Sequence, residues 1–287
     1  MASRIFSKLW IDSWVSRPRD LPLANLYAQL IPVSAPLLTS CAYLVVVALW
    51  SHVNRRQQKP HSGGPFLKAF VVLHNLALMV FSLLTFYHTA AILYQSLTDS
   101  GPFQGRWCDV TGKYWKSGFF YWGWLFYLSK YYELLDTVII LIKGRTPSFL
   151  QSYHHAGAII GMWFLIANAT PGAWIFITFN SFIHTIMYTY YIFATLGYRL
   201  PGKKYITYMQ ITQFIVGCTV TTGYLYFPNC ANPHQLASII FNLAYVTPPH
   251  LFVCPVCSCN LLPQGEDSIS LFLLWFLLYF SLDSFSL

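Results

Sequence analysis

Seven runs of mostly apolar residues, separated by short polar segments, dominate the chain. They lie at 31–51, 67–95, 117–142, 153–168, 172–196, 205–227 and 236–253. A helix needs about 20 apolar residues to cross the hydrocarbon core of a bilayer, and most of these runs reach that length. The fourth run is short and the second is long, which indicates tilted or partly buried helices. The pattern predicts an all-α polytopic membrane protein whose seven transmembrane helices form one bundle.

The composition agrees with this fold class and argues against nucleic acid as a partner. Charged residues make up 9% of the chain, whereas soluble domains carry about 25%, and the mean hydropathy is +0.49. The formal net charge of +8 is spread over short loops with no long basic run. Such scattered basic residues are typical of topology signals and of contacts with anionic headgroups or cofactors.

The two ends of the chain differ from the apolar middle. Residues 1–30 carry Trp10 and Trp14 among basic residues and lack the apolar core of a signal peptide, which predicts a segment lying at the membrane interface. Residues 31–253 form the predicted membrane domain. Residues 254–287 form an atypical C-terminal segment that is first rich in proline and cysteine and then apolar.

Basic residues in three loops predict the orientation of the bundle. The positive-inside rule places the loops after the first, third and fifth runs in the cytosol, and these carry Arg55, Arg56, Lys59, Lys143, Arg145, Arg199, Lys203 and Lys204. Cys108 and Cys230 then both fall in lumenal loops, where disulfides are permitted. A Cys108–Cys230 bridge and two free thiols both remain open, because only the geometry decides.

Three charged residues lie inside the third apolar run. Lys130, Glu133 and Thr137 share one helical face, with Asp136 at its edge. Charges within a membrane segment are costly and usually mark a functional site. A self-neutralising ion pair that only holds helices together is the alternative.

Two further polar faces follow in the later runs. Asn180, His184, Met187, Tyr188 and Tyr191 share one face of the fifth predicted helix, and His154, His155 or the Lys130 face are the expected partners. Thr207, Gln210 and Gln213 form a third face on the sixth helix. For both faces, interhelical hydrogen bonds without a functional role are the alternative.

Two chemistries suit the clustered histidines. Gln151-Ser-Tyr-His154-His155 looks like one histidine box of a di-iron desaturase or hydroxylase, but such a site needs many ligands and the other histidines are scattered. A neutral imidazole acting as a nucleophile or base on an acyl group needs no metal and no cofactor. The second chemistry matches the available residues better, so we expect no metal site.

These motifs together resemble the very-long-chain fatty acid elongase family. The resemblance covers roughly residues 25–248 and rests on four motifs in the family's order and spacing, namely Lys130-x-x-Glu133-x-x-Asp136-Thr137, the His154-His155 box, Asn180-x-x-x-His184-x-x-Met187-Tyr188-x-Tyr190-Tyr191, and Thr207-x-x-Gln210. It implies a seven-helix bundle in the endoplasmic reticulum membrane that encloses an acyl tunnel. It also implies a 3-oxoacyl-CoA synthase, which condenses acyl-CoA with malonyl-CoA and releases CoA and carbon dioxide.

The resemblance assigns roles and partners to this chain. It makes His154 the nucleophile, with His155, His184 and Asn180 stabilising the reacting groups. It makes Lys130, Glu133 and Asp136 the residues that hold the histidines. It also implies the substrate-binding residues Gln151, Tyr188, Tyr191, Gln210, Gln213, Lys143, Arg145, Lys203 and Lys204. The ketoreductase, dehydratase and enoyl reductase of the elongation cycle are the expected partners, and a homodimer is a further expectation.

The chain departs from the family pattern at two places. Gln151 stands at the first position of a box that is often H-x-x-H-H, and this variant resembles the polyunsaturated-acyl elongases. After about Thr247 the basic tail with its Lys-rich retrieval signal is absent. A non-enzymatic membrane transporter remains the alternative from another functional class.

Overall fold

The computed structural model describes residues 21–57, 63–198 and 200–256, with side chains of the last helix described as far as Val246. Residues 1–20 of the predicted interfacial segment, residue 199, and residues 257–287 of the C-terminal segment lie outside the described residues. The described part is helical and contains no strand. Its elements are α1 (Ala24–Leu30), α2 (Ser34–Gln57), α3 (Pro65–Thr98), α4 (Phe103–Trp107), a short π-helix (Trp115–Phe119), α5 (Phe120–Tyr132), α6 (Leu134–Ile142), α7 (Phe149–Ala167), α8 (Ala173–Leu196), α9 (Lys203–Gly223) and α10 (Pro233–Val256).

Each predicted apolar run contains helix, so the all-α class is confirmed. Two helices of the described chain, α2 and α3, are long and apolar enough by themselves to cross a membrane. The count of seven spanning helices, and the acyl tunnel that they would enclose, stay predictions.

The third run is divided, which the sequence did not predict. Gly118 adopts a φ of 114° inside the π-helix, a conformation that favours glycine. A second break falls at Glu133, between α5 and α6, where the backbone amide of Asp136 donates to the carbonyl of Glu133 in a 3₁₀-type turn of residues 133–136. Ser129 contributes to this break, because its hydroxyl bonds the Phe126 carbonyl and the Glu133 carboxylate.

Polar contacts fix which ends of the helices meet. Near the end of α2, Asn54 donates to the carbonyls of Leu141 (2.8 Å) and Arg145 (3.0 Å) just where α6 ends. At the far end of the bundle, Trp174 at the start of α8 donates to the Tyr224 hydroxyl after α9. The loops that carry Lys143 and Lys203 therefore lie at one end of the bundle, as the charge pattern predicted.

The longest helix, α3, packs antiparallel along α8 in the most extensive helix pair of the described chain. Leu78 contacts Met187 and Tyr188, and Phe86 lies 5.1 Å from Phe182 between ring centroids. Ser82, Thr85 and Thr89 are buried on α3. Small polar residues such as these allow close approach of helices in a membrane.

The end of the bundle opposite the basic loops is tied together covalently. Cys108 and Cys230 form a disulfide with a Cα–Cα distance of 4.9 Å. Beside it, Asp99 pairs with Lys113 and accepts a hydrogen bond from the Tyr114 hydroxyl, and the bond from Lys113 lowers the pKa of Asp99. The bridge joins the segment after α3 to the segment before α10.

We expect reduction of the denatured protein to expose at least two more thiols than denaturation alone, because Cys108 and Cys230 are bonded. Cys108→Ser, Cys230→Ser and the double variant should lower the unfolding midpoint equally, since each of them loses the same cross-link. Mass measurement after thiol alkylation and thermal unfolding in detergent test this. Equal thiol counts with and without reductant would contradict it.

Candidate active site

A buried ion pair lies where α5 ends. Lys130 Nζ is 2.8 Å from Glu133 Oε1 and 3.0 Å from Oε2, and the two side chains are 4% and 3% exposed. Ser129 donates to Oε1 at 3.0 Å. The lysine ammonium also lies 3.9 Å from the centre of the Phe126 ring. An ion pair buried this deeply is costly unless every remaining donor and acceptor finds a partner.

The ion pair connects the third and fifth predicted segments. Lys130 Nζ donates to Asn180 Oδ1 on α8 at 3.1 Å. One helical turn further along α8, His184 Nδ1 lies 4.0 Å from Glu133 Oε1. Because the amide oxygen of Asn180 faces Lys130, its NH2 group is directed elsewhere and can donate to a substrate.

The two adjacent histidines belong to the first turns of α7. The Ser148 hydroxyl caps this helix by accepting a hydrogen bond from the backbone N–H of Gln151. The ring centroids of His154 and His155 are 5.7 Å apart. His155 and His184 are buried, whereas His154 is half-buried. Direct contacts thus bring together Lys130, Glu133, Asn180 and His184, and His154 and His155 lie on α7, which packs against α5.

Asp136 contacts His74 and Tyr188, whereas the resemblance implied that it holds the histidines of the motifs. Its two oxygens are bound by His74 Nε2 on α3 and by the Tyr188 hydroxyl on α8, both at 2.8 Å. The break at Glu133 turns α6 away from a continuous α5 face, which explains this difference. Tyr188 in turn lies edge-on to His184, with 5.4 Å between the ring centroids.

His74 is a buried site residue that the sequence pattern did not reveal. It forms no close histidine pair in the sequence, so no motif marks it. Its spacing from Leu78 and Ser82 on α3 could have identified it, since all three lie on the buried face of that helix. Tyr43 was also missed, and its hydroxyl lies 2.9 Å from the Thr137 hydroxyl.

Gln151 faces the same region from α7. Its Nε2 atom donates to the Thr137 hydroxyl at 3.4 Å, a long hydrogen bond. On α9, Gln210 Nε2 reaches the Met187 sulfur at 3.5 Å, and the Gln213 side-chain oxygen is buried without a hydrogen-bond partner. Tyr191 is 42% exposed. Among the described residues, no hydrogen bond joins Tyr191, Gln210 or Gln213 to His154, His155 or His184.

Four of the substrate-binding residues that the resemblance implies lie at the end of the bundle with the basic loops, away from the histidines. Lys143 is half-buried, and Arg145, Lys203 and Lys204 are exposed. Burial, with a smaller effect from the neighbouring Arg145, lowers the pKa of Lys143. A phosphate bound there would stabilise the protonated form again, because opposite charges favour ionisation.

The site offers imidazoles, an amide and an ion pair for chemistry on an acyl group. Within residues 21–57, 63–198 and 200–256, no three His, Cys, Asp or Glu side chains converge in a way that could hold a metal ion. Neutral imidazoles beside fixed hydrogen-bond donors are suited to nucleophilic attack and to stabilising a developing oxyanion.

Comparison with known proteins agrees with these motifs. Residues 31–280 match the family described as ELO: GNS1/SUR4 family. The chain is 34% identical over 188 residues to Fatty acid elongase sre1 of Dictyostelium discoideum, covering 65% of this chain and 68% of that protein. It is 35% identical over 198 residues to Very long chain fatty acid elongase 6 of Homo sapiens, covering 66% and 69%. Fatty acid elongase 1 of Trypanosoma brucei brucei is 33% identical over 166 residues, covering 56% and 54%.

The family match extends beyond residue 248, where the motif resemblance ends, and it includes all the polar faces described above. Since it covers most of the sequence, the chain belongs to the ELO (GNS1/SUR4) family, the membrane-embedded fatty acid elongases.

Proposed function

We propose that this protein is the condensing enzyme of fatty acid elongation, a 3-oxoacyl-CoA synthase that uses acyl-CoA and malonyl-CoA. The observation that carries this proposal is the meeting of Lys130, Glu133, Asn180 and His184 at one buried point. These residues come from two separate family motifs, and α7, which carries the His154-His155 box, packs against α5.

In the first half-reaction, His154 is the nucleophile. It is the half-buried member of the histidine group, whereas His155 and His184 are buried. Its imidazole nitrogen forms a bond to the thioester carbon, the carbon–sulfur bond breaks, and CoA leaves with the proton that the imidazole loses. The NH2 group of Asn180 donates to the thioester oxygen as negative charge develops there.

In the second half-reaction, malonyl-CoA loses carbon dioxide and becomes an enolate. His155 and His184 stabilise the enolate oxygen. The carbanion carbon attacks the acyl carbon, the bond to His154 breaks, and the imidazole is restored. The sum consumes one acyl-CoA, one malonyl-CoA and one proton, and it yields 3-oxoacyl-CoA, CoA and carbon dioxide.

Lys130 and Glu133 hold this arrangement in place. The pair fixes Asn180 through the ammonium group and faces His184 through the carboxylate. Asp136 orients Tyr188, whose ring borders His184, and His74 fixes Asp136. Fixed groups of this kind need no reorganisation during the reaction, which is the main source of electrostatic catalysis.

We assign the CoA phosphates of both substrates to Lys143, Arg145, Lys203 and Lys204. These cations lie at the end of the bundle opposite the disulfide, and phosphates prefer charge-assisted hydrogen bonds. Gln151, Tyr188, Tyr191, Gln210 and Gln213 are assigned to the acyl chain and its thioester. The Cys108–Cys230 disulfide supports an endoplasmic reticulum membrane location with that end in the lumen. The ketoreductase, dehydratase and enoyl reductase of the cycle would then act on the product.

We expect His154→Ala membranes to lose the exchange of labelled CoA into acyl-CoA in the absence of malonyl-CoA, because no acyl-imidazole can form. His88→Ala is the matched control, since His88 is an exposed histidine on α3 that stacks on Trp122. Exchange that persists at the wild-type rate in His154→Ala would exclude a nucleophilic role for this residue.

Variants of the Lys130–Glu133 ion pair distinguish a functional role for the pair from a purely structural contact between helices. Glu133→Gln alone leaves a buried ammonium without a counter-charge, so we expect a loss of about 3–5 kcal/mol in stability. The double variant Lys130→Met with Glu133→Leu should recover most of that stability but not the condensation activity. Thermal unfolding and malonyl-CoA incorporation on the same preparations test this, and an active double variant would favour the purely structural role.

Gln151 at the first position of the histidine box resembles the polyunsaturated-acyl elongases, and this supports polyunsaturated acyl-CoA as the substrate class. With labelled malonyl-CoA and a panel of saturated, monounsaturated and polyunsaturated acyl-CoAs, we expect membranes to favour polyunsaturated chains. Gln151→His is the matched variant, and it should shift the preference towards saturated chains. Membranes from cells with an empty vector give the background. Incorporation on saturated chains alone would leave the reaction intact and contradict the substrate class.

A further inference from the structure

One face of α10 forms a series of hydrogen bonds with the backbone of α7. The side chains on this face recur at intervals of three and four residues, which is one stripe of a helix. Each of them donates to a carbonyl oxygen of α7 or of the turn that follows it, and the pairs are Gln235 with Ala169 (2.9 Å), Ser238 with Phe164 (3.0 Å), Asn242 with Gly161 (3.3 Å) and Tyr245 with His154 (2.8 Å). The series therefore runs along α7 and reaches the residue that carries the proposed nucleophile.

The contact at Tyr245 is reciprocal. The Tyr245 hydroxyl donates to the carbonyl of His154 at 2.8 Å and lies 3.4 Å from the carbonyl of Tyr153. The Tyr153 hydroxyl donates back to the carbonyl of Tyr245 at 2.8 Å. The two rings are stacked, with 5.1 Å between centroids and 17° between planes. The Tyr245 hydroxyl therefore holds the backbone of the α7 turn that carries His154, whereas the Tyr153 hydroxyl holds the backbone of α10.

Glycine at position 157 makes room for the Tyr245 ring. A Cβ atom on Gly157 would lie 2.0 Å from Tyr245 Cε2, far inside van der Waals contact. Gly161 has a similar relation to Asn242, where a Cβ would lie 2.7 Å from Oδ1. Two small residues one turn apart thus let α10 approach the α7 backbone closely enough to reach its carbonyls.

A nucleophile must be held within a fraction of an ångström of the atom that it attacks, and its own backbone is the first determinant of its position. The His154 carbonyl has two lone pairs, so it can accept from Tyr245 and also take part in the helix. We propose that Tyr245 is a positioning residue for His154, which acts through the His154 backbone and does not touch the substrate. This inference rests on the proposed role of His154 as nucleophile.

The experiment compares two variants that differ in one hydroxyl. Tyr245→Phe removes the bond to the His154 carbonyl and keeps the stacked ring. Tyr153→Phe, the matched control, removes the reciprocal bond between the same two helices and leaves the His154 carbonyl bonded. Each variant removes one hydroxyl that donates to a backbone carbonyl of the other helix, so we expect a merely structural role to affect both variants alike.

We expect Tyr245→Phe to lower kcat by between about tenfold and about a hundredfold, the range that small misplacements of a reacting group produce. The KM for acyl-CoA should change little, and CoA exchange without malonyl-CoA should fall by the same factor as kcat. Tyr153→Phe should keep most of the wild-type kcat, with an unfolding midpoint close to that of Tyr245→Phe. Equal kcat values in the two variants would overturn the inference.

A readout that does not depend on elongation separates this inference from the proposed function. Diethyl pyrocarbonate modifies accessible neutral imidazoles, and mass spectrometry reports its rate at His154. We expect this rate to change in Tyr245→Phe and to stay at the wild-type value in Tyr153→Phe. If the two variants show this difference but wild-type membranes incorporate no malonyl-CoA, the proposed function is refuted and the positioning contact is supported. An unchanged His154 rate in both variants would refute the positioning contact.

Discussion

The Lys130–Glu133 ion pair is the constraint on which the centre of the bundle depends. Two charges removed from water cost several kcal/mol each, so they persist only where their remaining hydrogen-bonding groups are satisfied. Ser129, Asn180 and the Phe126 ring supply that environment, and His184 lies at the edge of it. The position of α8 relative to α5 is therefore determined by charge as much as by packing. In a bilayer the hydrophobic effect gives little preference for one helix contact over another, so polar contacts of this kind decide which faces meet.

A second layer of contacts surrounds this pair and is supplied by helices that carry no charge at the centre. α3 provides His74, which binds Asp136, and α10 provides Tyr245, which binds the His154 carbonyl. α2 provides Tyr43, whose hydroxyl meets Thr137. His74 and Tyr43 hold residues that are one step removed from the proposed chemistry, and Tyr245 holds the backbone of the proposed nucleophile. The proposed active site is thus held from several sides, which is what a reaction between two bound acyl groups requires.

The sequence predicted the central residues well because polar groups in apolar runs stand out and their spacing reports a shared helical face. Lys130, Glu133, Asn180 and His184 were found in this way. The sequence did not predict the helix break at Glu133. The chain turns there without proline or glycine, so nothing in the apolar pattern of 117–142 marks the end of α5. The sequence also missed His74 and Tyr245, because their importance lies in partners on distant helices. Tyrosine is common in this chain, and only the packing of Gly157 singles out Tyr245.

The Cys108–Cys230 disulfide has a consequence for biosynthesis. The two cysteines are 122 residues apart in the sequence, and α5 to α9 lie between them. The bond cannot close until the ribosome has made residue 230 and both loops have reached the same compartment. Every helix that contributes Lys130, His154 or His184 has been synthesised by then. Oxidation of this pair therefore marks a late stage of assembly, after the helices of the buried polar cluster have been made.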